Sequence, residues 1–176
     1  MKLHRVEEFQ MSSAIHEKVQ ALLQLSFEDY PSKQNFLHQK PTFRYLLLKD
    51  KVLIGHLAVD HRIIQLAGKP ITIFGITDLC VHKDYQHKKS ATKMVQALES
   101  LAVEHQIDAL MLFTNLFDFY GKLGFTQQNN KCRWLLVQNH VSLGVARRSL
   151  ENCLMVKLLS DIFWTEGEVD LLGGVF

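Results

Sequence analysis

The chain has 176 residues, 47% of them hydrophobic, and a formal net charge of +2, the size of one domain over residues 1–176 with apolar content for a sizeable core. So small a charge excludes the broad positive field expected of a nucleic-acid-binding protein. The opening MKLHRVEEFQ has no apolar signal-peptide core and no apolar run reaches membrane-spanning length, so any membrane role would be peripheral and no membrane partner is expected, while three cysteines that read as reduced suggest the cytoplasm.

Lys2 to Phe9 alternates loosely and predicts a first, edge strand. Ser12 or Ser13 can cap a helix through Leu25, in which Ile15, Val19, Leu22, Leu23 and Leu25 form an apolar stripe. Phe27 to Thr42 holds two of the three prolines and mixed polarity, and reads as a loop with a short helix. From Phe43 the period changes to two: FRYLLL, a turn at Lys49-Asp50-Lys51, VLIGHLAVDHRIIQL, a turn at Ala67-Gly68-Lys69, then ITIFGITDLCV. Three such strands make an antiparallel meander, and the unbroken aliphatic run Leu57-Ala58-Val59 predicts a middle strand covered on both faces.

Ala91, Met94, Val95, Leu98, Leu101 and Ala102 recur at steps of three and four, predicting a helix from Ser90 to His105. Ile107 to Phe113 reads as a fifth strand, parallel to the one before the helix because a helical crossover joins them. Phe117 to Lys122 predicts a short helix, and Arg133 to Val137 with Leu154 to Leu159 a closing hairpin whose long connection contains Arg147 and Arg148. Cys80, Cys132 and Cys153 are an odd number without metal-ligand spacing, which points to reduced, structural thiols. None of the nine histidines has a partner at metal or triad spacing.

The strand ending at Val81 feeds the helix at Ser90 through a short basic loop, Gln86 to Ser90. Such a junction aims the helix's first unpaired N–H groups and the positive end of its dipole beyond the strand end, an arrangement suited to phosphate. The order V-x-x-x-Y-Q-x-x-x-x-A from Val81 to Ala91 resembles the acyl-CoA pyrophosphate loop of the GNAT N-acyltransferase superfamily, usually Q/R-x-x-G-x-G/A, with Lys89 at the first glycine position. FYGKLGF, Phe119 to Phe125, resembles the superfamily's other signature, in the expected order and spacing.

The resemblance implies an α/β (α+β) fold: a mixed central sheet, splayed in the middle, with helices on both faces. It implies acetyl-CoA as co-substrate, no metal, and a small-molecule amine acceptor, with no nucleic acid and with a homodimer left open. The splay would expose backbone groups of Leu79 and Val81 to the pantetheine arm, and Gln86, His87, Lys88, Lys89, Ser90 and Ala91 would hold the phosphates. Tyr120 is the candidate acid for the leaving thiolate, since a phenol of pKa near ~10 keeps its proton at neutral pH. Asp78 is the candidate base through water; if strand alternation turns it away, Thr77 lines the pocket instead.

The nearest resemblance is to the aminoglycoside 2′-N-acetyltransferase and nodulation N-acyltransferase-like branch, carried by the run from Tyr45 to Val81, the two signatures and the ending WTEGEVDLLGGVF. In that branch the last segment folds into the acceptor site. Here Glu166, Glu168, Asp170 and the carboxylate of Phe176 would form an anionic wall, with Asp29 near Glu28 and Tyr30 facing the same cationic acceptor. An amino sugar or aminoglycoside-like substrate is the expected acceptor. The alternatives are a protein or peptide N-acetyltransferase, and a degenerate domain that binds CoA without turnover.

Overall fold

Three strands rich in β-branched and aliphatic residues form the meander at the centre of the molecule: β2 (Phe43–Lys49), β3 (Val52–Leu66) and β4 (Lys69–Val81). The computed structural model to which they belong describes residues 1–31, 36, 39–150 and 152–176. Asp50, Lys51 and Ala67 take positive φ in the two tight turns, followed by Gly68 at φ 81°. Mirror-image turns of this kind match the right-handed twist of the strands they join. β1 (Lys2–Glu7) adds antiparallel to β2 as the expected first strand. The helix α1 (Ser13–Ser26) follows it, with Ser12 at the extended N-cap position but making no side-chain cap bond.

α2 (Ser90–Glu104) carries the chain from β4 to β5 (Ala109–Phe113), which pairs parallel to β4. The expected crossover is therefore present. α3 (Phe117–Gly121) and the two-residue β6 (Thr126–Gln127) lead to β7 (Lys131–Gln138), β8 (Val141–Ser149), β9 (Leu154–Leu158) and β10 (Val169–Gly174).

The described strands form one mixed sheet in the order β6-β9-β5-β4-β3-β10-β7-β8, with β2 and β1 branching from β3. The long β3 shares one edge between two partners, β2 along Val52–Val59 and β10 at Gln65 and Leu66. α2 packs Met94, Val95, Leu98 and Ala102 against Phe43, Tyr45, Leu57 and Leu110 on one face. α1 packs Val19, Leu22 and Leu23 against Leu46 and Cys80 on the other. Helices on both faces of a mixed sheet are thus observed, and Leu57, Ala58 and Val59 are all fully buried between them.

The expected closing hairpin is corrected. β7 pairs with β8, which contains Arg147 and Arg148, whereas β9 pairs with β5. The connection between β7 and β8 is the two-residue turn Asn139-His140, both at positive φ. β8 escapes a periodicity argument because it is a mostly exposed edge strand: Val141, Leu143 and Val145 stand in solvent, so no buried face marks the strand in sequence. Part of the short helix expected within 27–42 falls on residues 32–35, 37 and 38, outside the described residues. No helix among the described residues is long and apolar enough to cross a membrane.

Candidate active site

β4 and β5 are paired from Ile73 to Ile76 against Ala109 to Leu112. β4 then runs on to Val81 beside β3, while the chain after β5 turns away into α3. Two clefts open at this divergence. One, of about 660 Å³, is bordered by Leu79, Val81, Gln86, His87, Lys89 and the start of α2. The other, of about 810 Å³, is bordered by Thr77, Asp78, Phe113 and Phe176. Leu79 and Tyr120 border both.

The strand is reshaped where the clefts meet. His56 pairs with Cys80 and Ala58 with Thr77, so Leu57 alone stands opposite both Asp78 and Leu79. That is a β-bulge, with Asp78 at φ 52°. The extra residue breaks strict alternation, and Thr77 and Asp78 both border the larger cleft, resolving the either-or that a regular strand would impose.

A buried polar chain underlies the bulge. Arg44 Nε donates to Glu8 Oε2 at 2.6 Å, Arg44 Nη1 lies 3.0 Å from His56 Nε2, and His56 Nδ1 lies 2.9 Å from the Asp78 carbonyl oxygen. Arg44 and His56 are completely buried. Burial, reinforced by the Arg44 charge, pushes the His56 pKa down to about 3. The neutral ring with its proton on Nδ1 satisfies both neighbours: Nδ1–H donates to the Asp78 carbonyl and Nε2 accepts from Arg44. Glu8, Arg44 and His56 are not sequence-based candidates. The available signal was an arginine and a histidine set inside the apolar runs FRYLLL and VLIGHLAV.

In the smaller cleft Lys89 is the N-cap of α2 at φ 59°, and His87 has the same φ. This left-handed backbone is where glycine is ordinarily favoured, and Lys89 adopts it without one. Gln86, His87, Lys89, Ser90 and Ala91 border the cleft, as Leu79 and Val81 do. Two expectations need correction in detail. Gln86 Nε2 donates to the Val81 carbonyl at 3.1 Å, so this amide closes the loop and occupies a backbone acceptor expected to face the pantetheine arm. Lys88 does not border the cleft: its Nζ donates to the Asp84 carbonyl at 2.9 Å and lies 5.3 Å from the centre of the Tyr85 ring.

In the larger cleft Tyr30 Oη donates to Asp78 Oδ2 at 2.8 Å, and Asp29 borders the same space. Burial raises the pKa of Tyr30, with the Asp78 charge adding to it, and burial raises that of Tyr120. Both phenols hold their protons throughout the neutral range. Tyr120 packs edge-on to Phe119 and Phe125, at 4.9 and 5.4 Å between centroids, and is 5% exposed. It is therefore a core residue and a cleft residue at once.

The segment after Gly167 folds back as β10, and the ring of Phe176 lies over Gly75, where a Cβ would stand 2.8 Å from the ring carbons. Only glycine at 75 permits that approach. The anionic wall expected from this segment is not formed. Asp170 is held by Arg133 at 2.6 Å, Glu168 is paired with Arg147, and Glu166 and Glu168 border a separate surface depression beside Trp164. The carboxylates of Asp170 and Glu168 are neutralised by arginines of the β7–β8 hairpin, whose pairing only the fold reveals.

A family model described as an acetyltransferase (GNAT) domain matches residues 10–127. No curated protein matches the chain. Among solved structures, the GNAT family N-acetyltransferase of Escherichia coli in complex with CoA is 16% identical over 97% of this chain and 89% of that one, with a TM-score of 0.65. A GNAT family acetyltransferase of Brucella melitensis in complex with acetyl-CoA is 11% identical over 96% and 94%, with a TM-score of 0.62. A probable N-acyltransferase of Enterococcus faecalis is 14% identical over 73% of this chain but only 33% of that one, with a TM-score of 0.60, so the chain spans a third of that longer protein. At these identities the likeness is one of fold.

Proposed function

The chain belongs to the GNAT acetyltransferase family, and from that premise we propose that it moves an acetyl group from acetyl-CoA to the primary amine of a small cationic acceptor by direct transfer. The observation that carries the reading is the meeting of two clefts at Tyr120 and Leu79, where β4 parts from β5. One cleft ends on a helix N-terminus, suited to a phosphorylated donor; the other carries carboxylates, suited to an amine.

The residues present fit the donor. The first residues of α2 and the left-handed turn at Lys89 border the smaller cleft, and so does β4 from Leu79 to Val81, where β5 no longer pairs with it. Acetyl-CoA supplies a thioester, whose C–S bond breaks as the new C–N bond forms. Asp78, through a water molecule, takes the proton the amine must lose, and the Tyr30 hydroxyl keeps that carboxylate oriented. Tyr120, whose burial keeps it protonated, gives a proton to the departing sulfur.

Phe176 beside the acceptor cleft supports placement near the aminoglycoside 2′-N-acetyltransferase and nodulation N-acyltransferase-like branch. Arginines occupy Glu168 and Asp170, the carboxylates an amino-sugar acceptor would use, and Glu28, Asp29 and Asp78 remain at the cleft to meet a small cationic amine. A thiol-release screen with acetyl-CoA against amines, amino sugars, polyamines and peptides tests the reading. Release with small amines is expected; release with peptides alone would move the assignment to protein acetylation, and tight acetyl-CoA binding with no release would mark a binding domain.

A further inference from the structure

Two aromatic pairs border the acceptor cleft. On the sheet side the Phe113 and Phe176 rings stand 5.5 Å apart at an interplanar angle of 42°. Where α1 ends, the Phe27 and Tyr30 rings stand 5.9 Å apart at 33°. All four residues line the same space, together with the carboxylate residues Glu28, Asp29 and Asp78.

The Phe176 ring is held in place before any ligand arrives. Gly75 lets it lie on β4, and the Arg62 guanidinium covers it at 5.1 Å from the ring centre. Arg62 is itself fixed by the Gly174 carbonyl at 2.7 Å and Asp60 at 2.6 Å. A ring immobilised in this way loses little freedom on binding. Apolar surface continues to the rim, where Leu116 is 59% and Phe27 38% exposed.

Two of the hydroxyls lining the cleft are already engaged. Ser26 Oγ donates to the Leu22 carbonyl at 2.7 Å, and Thr114 Oγ1 accepts the Leu116 amide at 3.0 Å. A polyhydroxylated acceptor entering here would bury hydroxyl groups, each of which needs a hydrogen-bonding partner. A flat aromatic body needs only apolar contact and ring edges, and its ammonium gains from the carboxylates.

We propose that the acceptor is a primary amine carried on an aromatic body, an arylalkylamine, and that Phe113 and Phe176 form the surface selecting it over amino sugars and polyamines. This rests on the acetyltransferase reading and specifies its substrate class. The chemistry is unchanged: the C–N bond forms as the C–S bond breaks, the amine proton leaves through water towards Asp78, and the thiolate takes its proton from Tyr120.

The test uses the full chain with saturating acetyl-CoA and three amines: 2-phenylethylamine, glucosamine and spermidine. The expected kcat/KM for 2-phenylethylamine exceeds the other two by roughly tenfold or more. Phe176→Ala should raise the KM for 2-phenylethylamine by about tenfold while calorimetric binding of acetyl-CoA is unchanged. Phe176→Leu, which keeps the apolar volume but not the ring, should show a smaller change in the same direction and serves if the alanine variant fails to fold. Equal or better turnover of glucosamine or spermidine overturns the substrate class and leaves the acetyltransferase reading standing. If none of the three is acetylated although acetyl-CoA binds, the substrate class is also overturned; the acetyltransferase reading falls with it only if the wider panel of amines and peptides releases no thiol either.

Discussion

His56 Nδ1 donates to the carbonyl oxygen of Asp78 at 2.9 Å, tying the middle strand of the sheet to the bulge that carries the candidate base. The same ring accepts from Arg44 on its other nitrogen and is completely buried. Burial strips an imidazolium of its water, and protonation would also place a second positive charge beside Arg44, which is why the pKa falls to about 3.

That shift links stability to pH. Unfolded, His56 titrates near ~6.5, so between roughly 6.5 and 3 the unfolded chain binds a proton that the native chain refuses. Its contribution is fully present above that window and is lost as pH falls through it, by up to about 1.4 kcal/mol per unit. Urea denaturation at a series of pH values should show this slope in the parent. In His56→Asn, whose amide can still donate to Asp78 and accept from Arg44 without titrating, the slope should flatten by about one proton. An identical slope in both proteins would remove His56 from the linkage.

The Arg44–Glu8 pair is the second buried feature whose loss should be measurable. Arg44 is 0% exposed and Glu8 8%, and Glu8 Oε1 and Arg44 Nη2 have no hydrogen-bond partner among the described atoms. Glu8→Ala leaves a buried guanidinium uncompensated, and an expected loss of roughly 3–5 kcal/mol follows from the desolvation of that charge. The double variant Glu8→Leu with Arg44→Met, which removes both charges and keeps the volume, should recover part of the loss, the remainder being the cost of a buried His56 Nε2 without its donor. Chemical denaturation of the two proteins decides it; a single variant as stable as the parent would show that the pair carries no strain of desolvation.

Ala91 borders the donor cleft at the start of α2. A leucine there adds three heavy atoms where the helix N–H groups face the cleft, so Ala91→Leu should weaken acetyl-CoA binding by roughly tenfold, about 1.4 kcal/mol. Calorimetry with acetyl-CoA reads the effect directly. Unchanged affinity would detach the 86–91 loop from donor binding.

Tyr120→Phe preserves the edge-on packing against Phe119 and Phe125 and removes only the hydroxyl. If that hydroxyl protonates the leaving thiolate, turnover should drop by roughly 10²- to 10⁴-fold with acetyl-CoA affinity near that of the parent. Steady-state rates together with calorimetry separate the two quantities. Full activity would leave Tyr120 as packing alone.

Local pattern determined much of this protein. The meander, its two turns, both long helices and the parallel crossover follow from apolar period and turn residues, because each is specified within a few residues of itself. The junction proposed to hold the donor was legible for the same reason: strand, loop and helix are contiguous from Leu79 to Ala91. What escaped depends on residues distant in sequence. Whether Asp78 and Thr77 both reach the acceptor cleft is decided by a bulge that exists only because β3 presents one residue where β4 presents two. The tail carboxylates Glu168 and Asp170 read as an anionic wall until the hairpin of β7 and β8 supplied Arg147 and Arg133 to neutralise them. Gly75 gave no sign in sequence of the Phe176 ring it admits, a contact spanning a hundred residues that only strand order and packing bring together. Composition and period act along the chain, whereas ion pairing and close approach act through space, and the acceptor cleft is built almost entirely from the second kind.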